Sequence, residues 1–480
     1  MKRKFQMIKP IIFSALLPVL FVGCTSTNPK AAFDDVNKTV NARTGQSVQW
    51  LRNDSSSNEV AKAIESLLKT NLTAHAAVTI ALLNNRSLQA EFEEIGISQA
   101  DVAQASRLQN IEIAGSWRFP NRPPSAADVE YSAAGNLLDL LTLPARKKVA
   151  AQNLEQTKLR VADSVMRLAS ETQTAFYTLQ AGEELAKRLG ISVEINDAAA
   201  DLAQRQYDAG NINDLELQNQ QAAFAQSQLD FIQAQAQTRA SRERLNRLLG
   251  LSGEQVNWKV TDDLPLLPEK EPALENLESL AVNQRLDLAA ARSQAESVAA
   301  AMRLKKNTRF IPGVKLGVDT ERTPDGQRVT GPTLDLELPL FDQGQSALAR
   351  FAAQYRQAQN NYAAMDVNIR SEVRQMRDAL LAARNVVEHY SKTLLPQRQK
   401  ILHETLLHYN AMQKNSYDLL AAKEREQIAE RGYIEALRDY WIARAELERA
   451  VGGRLSLTNE TNAPAPAKIE SKQMPPEHQH

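Results

Sequence analysis

The sequence contains one cysteine in 480 residues, which excludes an internal disulfide and a metal site built from several cysteines. Aromatic residues make up 5%, and the 18 glycines form neither a nucleophile elbow nor a phosphate-cradling loop. Positive charge has no surplus, because 57 Lys and Arg residues balance 57 Asp and Glu residues. This balance argues against general binding to nucleic acid. We therefore expect no enzyme, no catalytic residue and no cofactor.

Long apolar runs are also missing, apart from one near the N-terminus. Residues 2–4 are basic, and an apolar run too short for a comfortable membrane span follows from Ile11 to Val22. This pattern predicts a signal peptide over residues 1–23. Its end resembles the bacterial lipobox, in which a cysteine, here Cys24, is lipidated and becomes the mature N-terminus. The alternative is an ordinary signal peptide with an incidental cysteine. The non-acidic Thr25 resembles the signal for sorting to the outer membrane.

An internal repeat is present in the second part of each half of the chain. Residues 207–250 align with residues 409–452 without a gap, and both segments end in a glycine suited to a helix C-cap. The chain is therefore predicted to contain two copies of a unit of about 200 residues. The predicted division is a lipidated linker at 24–59, a first repeat at 60–251, an inter-repeat linker at 252–272, a second repeat at 273–453 and a disordered tail at 454–480.

Each repeat shows a seven-residue spacing of apolar and small residues, after Val165 in the first and after Val373 in the second. Such spacing is typical of coiled-coil seams. The helices that carry the seams are predicted at about 146–206 and 346–408. At 1.5 Å per residue, each is on the order of 90 Å long, about three times the thickness of a membrane's hydrocarbon core.

Between the helices the hydrophobic period falls to two, which predicts β-hairpins at 111–143 and 314–341 with one apolar and one polar face. A four-stranded sheet over a helical layer in water is one interpretation. The lipidation signal favours an outer-membrane barrel, in which every backbone group must be paired by closure. Four strands cannot close around a useful pore. Three copies sharing one barrel give twelve strands, within the even-numbered range of such barrels.

The order and duplication of these parts resemble the TolC-type outer-membrane efflux proteins. The resemblance rests on the sequence at Gly331–Gly344 leading into a long helix, on Arg285–Leu288, and on Tyr-x-x-Gly at Tyr207–Gly210 followed by Glu216. It implies a mainly α fold with a small β part. In a homotrimer, a coiled-coil α-helical barrel would cross the periplasm below a shared twelve-stranded antiparallel barrel in the outer membrane. The implied partners are a periplasmic adaptor and an inner-membrane transporter, for which the channel passes substrates outward.

The resemblance also identifies candidate site residues at the turns between long and short helices. Glu216 and Asp418 are predicted to place a ring of carboxylates at a periplasmic gate, which would favour cations. The alternative is that both acids complement the dipole of the following helix. The turns are predicted to dock the adaptor, with local turn formation as the alternative; Met412 replaces the glycine expected there. The docking residues are Tyr207, Gly210, Asn211, Tyr409, Met412 and Gln413.

The sequence does not decide the exported substrate. Organic drugs or solvents, heavy-metal cations and polypeptides all remain open, although Leu137–Arg146 is similar to metal-efflux branches of the family. A lipid-tethered periplasmic coiled-coil scaffold is an alternative of another class. We expect no bound metal: His403 and His408 are five residues apart, which turns them about 140° from each other on a helix. A solvated tail is favoured over weak metal binding at residues 474–480.

Overall fold

The structure is a computed structural model that describes residues 27–122, 126–261, 263–310 and 313–455. The predicted signal peptide, Cys24 and all but the first two residues of the predicted tail lie outside these ranges. In the described part the chain is mainly helical. Its helices are α1 Lys30–Thr44, α2 Asp54–Leu68, α3 Ala74–Asn84, α4 Arg86–Ala105, α5 Leu137–Asp208, α6 Asp214–Leu249, α7 Leu277–Gln284, α8 Leu286–Thr308, α9 Gln345–His389, α10 Leu395–Asn410 and α11 Ser416–Val451.

Two hairpins join into one antiparallel sheet of four strands in the order β1-β2-β3-β4. Helices α5 to α8 lie between the hairpins in the chain, yet β2 pairs with β3 from Val129 opposite Arg322 to Asn136 opposite Lys315. The same succession of two helices, two strands, a long helix and a further helix occurs in each half. The strands are β1 Glu112–Arg118, β2 Asp128–Asn136, β3 Gly313–Arg322 and β4 Arg328–Glu337.

The first hairpin ends earlier than the sequence predicts. β2 stops at Asn136, and α5 begins at Leu137, so residues 137–143 are helical and the predicted hairpin boundary is wrong there. Asn136 caps the helix by accepting a hydrogen bond from the N–H of Leu138 at 3.0 Å, and Asp139 lies in the first turn. An N-cap and an acid near the helix dipole outweigh the apolar alternation that suggested a strand. The second hairpin likewise ends at Glu337 rather than at residue 341.

The segment predicted as an N-terminal linker is folded in its described part. Helix α1 buries Phe33 and Val36, and the Phe33 ring packs edge-on against Phe92 of α4 with ring centroids 5.1 Å apart. Trp50 is also buried in this cluster, and its Nε1–H donates to Glu93 at 2.8 Å. Burial of aromatic surface therefore fixes this segment to the first repeat. For residues 27–59 the linker prediction is corrected to helix α1, a packed connection and the start of α2.

The inter-repeat segment is also packed against the helices. Gln180, buried on α5, donates to the backbone of Thr261 at 3.0 Å and of Asp263 at 2.7 Å. Arg242 of α6 donates to the carbonyl of Trp258 at 2.8 Å and lies over its ring. The connection between the halves is thus held by specific polar contacts and not by chain length alone.

The predicted seams lie where the long helices pack. In α5 the seam residues Thr172, Ala175 and Leu179 are buried, as are Val373 and Leu380 in α9. With 72 residues, α5 is about 108 Å long. No helix among the described residues is both long and apolar enough to cross a membrane.

The second long helix is interrupted by a π-helical turn at Tyr390–Leu394, which separates α9 from α10. Gly432 of α11 lies directly against the Tyr390 ring: a Cβ at Gly432 would stand 2.7 Å from the Tyr390 Cζ. Inserted π turns shift the register of a helix. Here the shift is accommodated by a glycine on the facing helix.

A network of ion pairs lies where α8 begins. Arg285 contacts Asp287 at 2.6 Å and also pairs with Glu372 of α9, and Arg449 of α11 reaches Glu372 at 2.5 Å. Arg43 of α1 donates to the carbonyl of Gly452 at 3.2 Å. The network connects the N-terminal helix with three helices of the second repeat.

Candidate functional site

The sheet exposes a broad apolar face in the single chain. Ile113 is 81% exposed and Leu334 is 59% exposed. Scattered apolar residues at a surface are ordinary, but a contiguous apolar sheet face requires a partner or lipid to cover it. Further large apolar side chains on this face are also more than half exposed: Trp117, Leu316, Val318 and Leu336.

The opposite face of the sheet is polar and acidic. Lys315 lies 2.6 Å from Glu112, and Arg118 lies 2.6 Å from Glu130. Carboxylates nevertheless outnumber cations, which gives this face a negative charge. The carboxylates are Glu112, Asp128, Glu130, Asp319, Glu321, Asp335 and Glu337, and the cations are Arg118 and Lys315.

The two edges of the sheet are open. β1 and β4 are the outermost strands, and neither has a neighbouring strand on its outer side within the described chain. Unpaired N–H and C=O groups along a strand edge are a template for pairing with another chain. Open edges together with an exposed apolar face are typical of a sheet that is completed by further copies.

The first helical tip, residues 207–216, closes α5. Gly210 adopts the left-handed backbone conformation with φ 74°, and its N–H donates to the carbonyl of Tyr207 at 2.9 Å. The N–H of Asn211 donates to the carbonyl of Gln206 at 2.8 Å. These bonds satisfy the last carbonyls of the helix. Tyr207 is 41% exposed, so its ring remains available at the surface.

The second helical tip, residues 409–418, repeats this geometry without the glycine. Met412 has φ 58°, and its N–H donates to the carbonyl of Tyr409 at 2.9 Å. The N–H of Gln413 donates to the carbonyl of His408 at the same distance of 2.9 Å. The Met412 side chain is 95% exposed. Replacement of glycine by methionine therefore leaves the turn intact and adds an apolar side chain to the surface.

The two acids predicted for the gate occupy equivalent positions but have different surroundings. Asp418 forms a reciprocal capping box with Asn415, whose side chain accepts the Asp418 N–H at 2.8 Å, and it lies 3.8 Å from Lys414. Glu216 donates its N–H to Asn213 at 2.9 Å, but its carboxylate forms no hydrogen bond or ion pair with any described residue. The geometry thus gives Asp418 a local helix-capping role and leaves the Glu216 carboxylate free.

The two tips contact each other in space within the single chain. The hydroxyl of Tyr417, in the second tip, donates a hydrogen bond to Gln206, at the end of α5, at 2.7 Å. Burial and the nearby Glu216 carboxylate both raise the pKa of Tyr417. Sequence reasoning missed this contact, since Tyr417 has no counterpart in the first tip. The capping pair Asn213 and Asn415 was detectable, because these residues are identical in the two repeats.

His408, one of the two histidines considered as metal ligands in the sequence, contacts the second tip. The Nδ1 atom of His408 lies 2.6 Å from the side-chain oxygen of Gln413, which belongs to the second tip. Among the residues described, no group of three or more His, Cys, Asp or Glu side chains is arranged to hold a metal ion. Residues 474–480 lie outside the described part, as does Cys24.

The fold is shared with proteins of known structure. A scan against models of known protein families gives no match. Among solved structures, the outer-membrane channel CmeC of Campylobacter jejuni matches 81% of this chain and 87% of its own, with a TM-score of 0.69 and 15% identity. The outer-membrane protein VceC of Vibrio cholerae matches 80% of this chain and 97% of its own, with a TM-score of 0.66 and 16% identity. The chain therefore has the fold of TolC-type outer-membrane channels, as its sequence predicts.

This chain is also similar in sequence to a metal-resistance protein. The cobalt-zinc-cadmium resistance protein CzcC of Cupriavidus metallidurans is 22% identical over 384 residues, which cover 79% of this chain and 90% of that protein. The alignment therefore extends over nearly the whole relative, and the likeness concerns the full architecture and not an isolated element.

Proposed function

We propose that the chain is one copy of a trimeric outer-membrane channel of a tripartite efflux system. The sheet carries this proposal, because it combines an exposed apolar face, an acidic face and two open edges. Three copies supply twelve strands, an even number that occurs among outer-membrane barrels. The apolar face then contacts lipid, and the acidic face lines the pore. The likeness of the fold to solved outer-membrane channels supports this assembly.

In the assembled channel the long helices form a tunnel below the barrel. Helix α6 exposes Leu229 and Ile232, and the α9–α10 pair exposes Val367, Leu381 and Ile401. These residues lie outside the core of the single chain, and neighbouring copies can bury them. Closure of the helical barrel by such contacts is the helical counterpart of strand pairing at the sheet edges.

The proposed substrates of the channel are divalent metal cations. The polar face of the sheet carries more carboxylates than cations, so a pore lined by it attracts cations and disfavours anions. The name of the cobalt-zinc-cadmium resistance protein from Cupriavidus metallidurans points in the same direction. Drugs or solvents, the broader expectation for this architecture, gain no comparable support from the acidic face.

Deletion of the gene in its native host tests the channel and its cargo together. Loss of the channel should raise cell-associated cobalt, zinc or cadmium under metal challenge, and restoring the wild-type gene should reverse this. The double variant Asp335→Asn/Glu337→Gln should restore export only in part, because it removes two pore carboxylates. Unchanged metal content after deletion, with increased ethidium retention, would instead identify organic cargo.

The helical tips are proposed to dock a periplasmic adaptor that couples the channel to an inner-membrane transporter. Tyr207 and Tyr409 are both exposed, and Met412 projects from the second turn. Cysteines at Asn211 and Gln413, in a Cys24→Ser chain with another membrane anchor, should crosslink to the adaptor in cells. A cysteine at the exposed Ala223 of α6 is the matched control. Equal crosslinking at all three positions would contradict specific docking.

Cys24 is proposed to anchor the chain to the inner leaflet of the outer membrane. Mass spectrometry of the mature N-terminal peptide should show an acylated cysteine. An unmodified Cys24, or a mature N-terminus elsewhere, would refute the anchor without affecting the channel.

A further inference from the structure

The apolar face of the sheet ends, at its hairpin-loop side, in a row that differs from the others. Strand pairing places Trp117 opposite Val129, Val129 opposite Arg322, and Arg322 opposite Arg328. Alternate residues of a strand share a face. Arg322 and Arg328 therefore stand on the same side as the exposed Val318. We call these four residues the arginine row: Trp117, Val129, Arg322 and Arg328.

The two arginines are unpaired within the part of the chain that the structure describes. Neither side chain forms an ion pair, hydrogen bond or ring contact with the residues that the structure describes. Like charges directly opposite each other destabilise a strand pair. By contrast, Arg118 stands at the same level on the acidic face and pairs with Glu130 at 2.6 Å. The remaining described strand residues on the apolar face are uncharged, so the row concentrates positive charge where an anion could approach from outside.

The neighbours of the arginine row indicate its depth in a membrane. Trp117 packs edge-on against Tyr131 of the next row, with ring centroids 5.7 Å apart. In that row the hydroxyls of Thr320 and Thr330 are 2.8 Å apart. Trp and Tyr collect at membrane interfaces, where one end of the ring is apolar and the other is wet. The arginines therefore lie at the level of lipid headgroups.

The topology of the sheet determines which leaflet of the membrane the arginine row faces. Both hairpins enter and leave the sheet through helices at one end, so their loops lie at the other end. In the proposed channel the helices extend into the periplasm. The loops, and the arginine row beside them, then face the outer leaflet.

We propose that the arginine row binds phosphate groups of a phosphorylated lipid in the outer leaflet. This inference rests on the proposed function, because only a membrane-inserted barrel brings the row to that leaflet. A guanidinium matches phosphate oxygens with two parallel hydrogen bonds, and water is scarce beside the acyl chains. A shared or adjacent phosphate neutralises the two opposed arginines. Trp117 and Val129 supply apolar contact for the part of the lipid beside the phosphate.

The test measures lipid binding to full-length protein purified in detergent. Bis-phosphorylated lipid A is titrated into the wild-type protein and bound copies are counted by native mass spectrometry. Arg322→Gln/Arg328→Gln should bind at least tenfold more weakly, because the loss of a single charged hydrogen bond already corresponds to roughly that factor. Arg322→Lys/Arg328→Lys should retain part of the affinity. Arg118→Gln/Glu130→Gln, which removes a charge pair at the same level on the other face, should bind normally.

Two results would overturn the arginine row as a phosphate site. One is equal lipid A affinity of the wild type and the double glutamine variant. The other is equal binding of dephosphorylated lipid A, which would show that acyl chains alone hold the lipid. Conductance of the same samples separates this inference from the channel itself. A conducting protein with unchanged lipid affinity refutes only the arginine row, whereas a wild type that never conducts refutes the channel.

Discussion

Met412 and Gly210 show how one backbone conformation is met by two residue types. Both have positive φ, 58° and 74°, and both donate to the carbonyl three residues earlier. A left-handed conformation costs a residue with a Cβ roughly 1 kcal/mol relative to glycine. The second tip therefore retains a strained residue with a fully exposed side chain, which is consistent with a role for that side chain at the surface.

The substitutions Gly210→Met and Met412→Gly should change the stability of the folded protein in opposite directions. Gly210→Met should destabilise the protein by about 1 kcal/mol, since a Cβ at Gly210 would meet no atom within 4 Å and backbone strain is the main cost. Met412→Gly should stabilise it by a similar amount, about 1 kcal/mol. Thermal unfolding of both variants checks this. A gain of stability in Gly210→Met would contradict the strain argument.

Glu216 and Asp418 should respond differently to loss of charge. Glu216→Gln should reduce the ratio of cation to anion permeability, because its carboxylate is free to act on passing ions. Asp418→Asn should weaken the capping box, which costs about 1 kcal/mol, and change selectivity less. Reversal potentials in a salt gradient, measured beside thermal unfolding, distinguish the two. Equal loss of selectivity in both variants would support the symmetric gate that the sequence predicts.

For individual residues the sequence predicts positions better than roles. The repeat identifies Asn213 and Asn415 and places the acids at helix starts, because local hydrogen bonds depend on short spacing. It does not predict that Tyr417 reaches Gln206, because that contact joins residues 211 positions apart.

Among the helices, the π turn after α9 depends on its neighbour α11. The ring of Tyr390 occupies space that a side chain on Gly432 would need. The sequence predicts one continuous helix over 346–408, because the coiled-coil spacing of the seam continues through Val387, Tyr390 and Leu394. The interruption is visible only when the facing glycine is known.

Gly432→Ala should therefore be costly, even though alanine favours helices. The added methyl group should force the Tyr390 ring or α11 to move and destabilise the protein by roughly 1–3 kcal/mol. Gly190→Ala on α5 is the matched control, because its Cβ would lie at an ordinary 3.5 Å from Phe231. It should be neutral or slightly stabilising. Thermal unfolding that ranks Gly190→Ala below Gly432→Ala would refute this packing.

Element boundaries show the same limit of sequence reasoning. The alternation near Leu137 suggests a strand, yet Asn136 begins a helix there. Helix α1 is equally hard to predict, since it is identified by the burial of Phe33 against Phe92 and not by a strong periodic pattern. At Leu137 a local N-cap outweighs the apolar alternation, whereas at α1 tertiary packing outweighs a weak local pattern.

Across the molecule as a whole, Arg285 joins parts of the chain that are far apart in sequence. Burial disfavours charge on Asp287 and Glu372, but hydrogen bonds and charge from Arg285 outweigh burial and lower the pKa of both. Carboxylates with lowered pKa stabilise the folded state above their unfolded pKa, near 4. That stabilisation is lost as pH falls through their folded pKa.

Arg285→Gln should destabilise the protein by about 3 kcal/mol at neutral pH, because it leaves the partly buried Asp287 carboxylate without its ion-pair partner and leaves Glu372 with Arg449 alone. The difference from wild type should shrink below about pH 4, where the carboxylates are protonated in both proteins. Arg370→Gln, which breaks a solvent-screened pair with Asp366 at 3.0 Å, should cost much less. Thermal unfolding across pH tests this, and a constant difference at all pH values would contradict the ion-pair network.

The overall architecture is accessible from the sequence because it is repeated and periodic. Seven-residue spacing, period-two strands and duplication each indicate an element independently of the others, and their agreement predicts the fold. The order of strands across the two halves is not among the sequence predictions, because two hairpins can join through any of their strands; the structure sets it by pairing β2 with β3. The proposed assembly of several copies depends on the open edges β1 and β4.

The proposed efflux function requires that several copies close one conducting barrel. The most direct measurement is planar-bilayer conductance of the detergent-purified full-length protein, with the mass of the assembly determined in the same sample. We predict a trimer with discrete, cation-selective conductance steps. A monomer or dimer that never conducts would contradict the channel and would favour a lipid-tethered periplasmic scaffold.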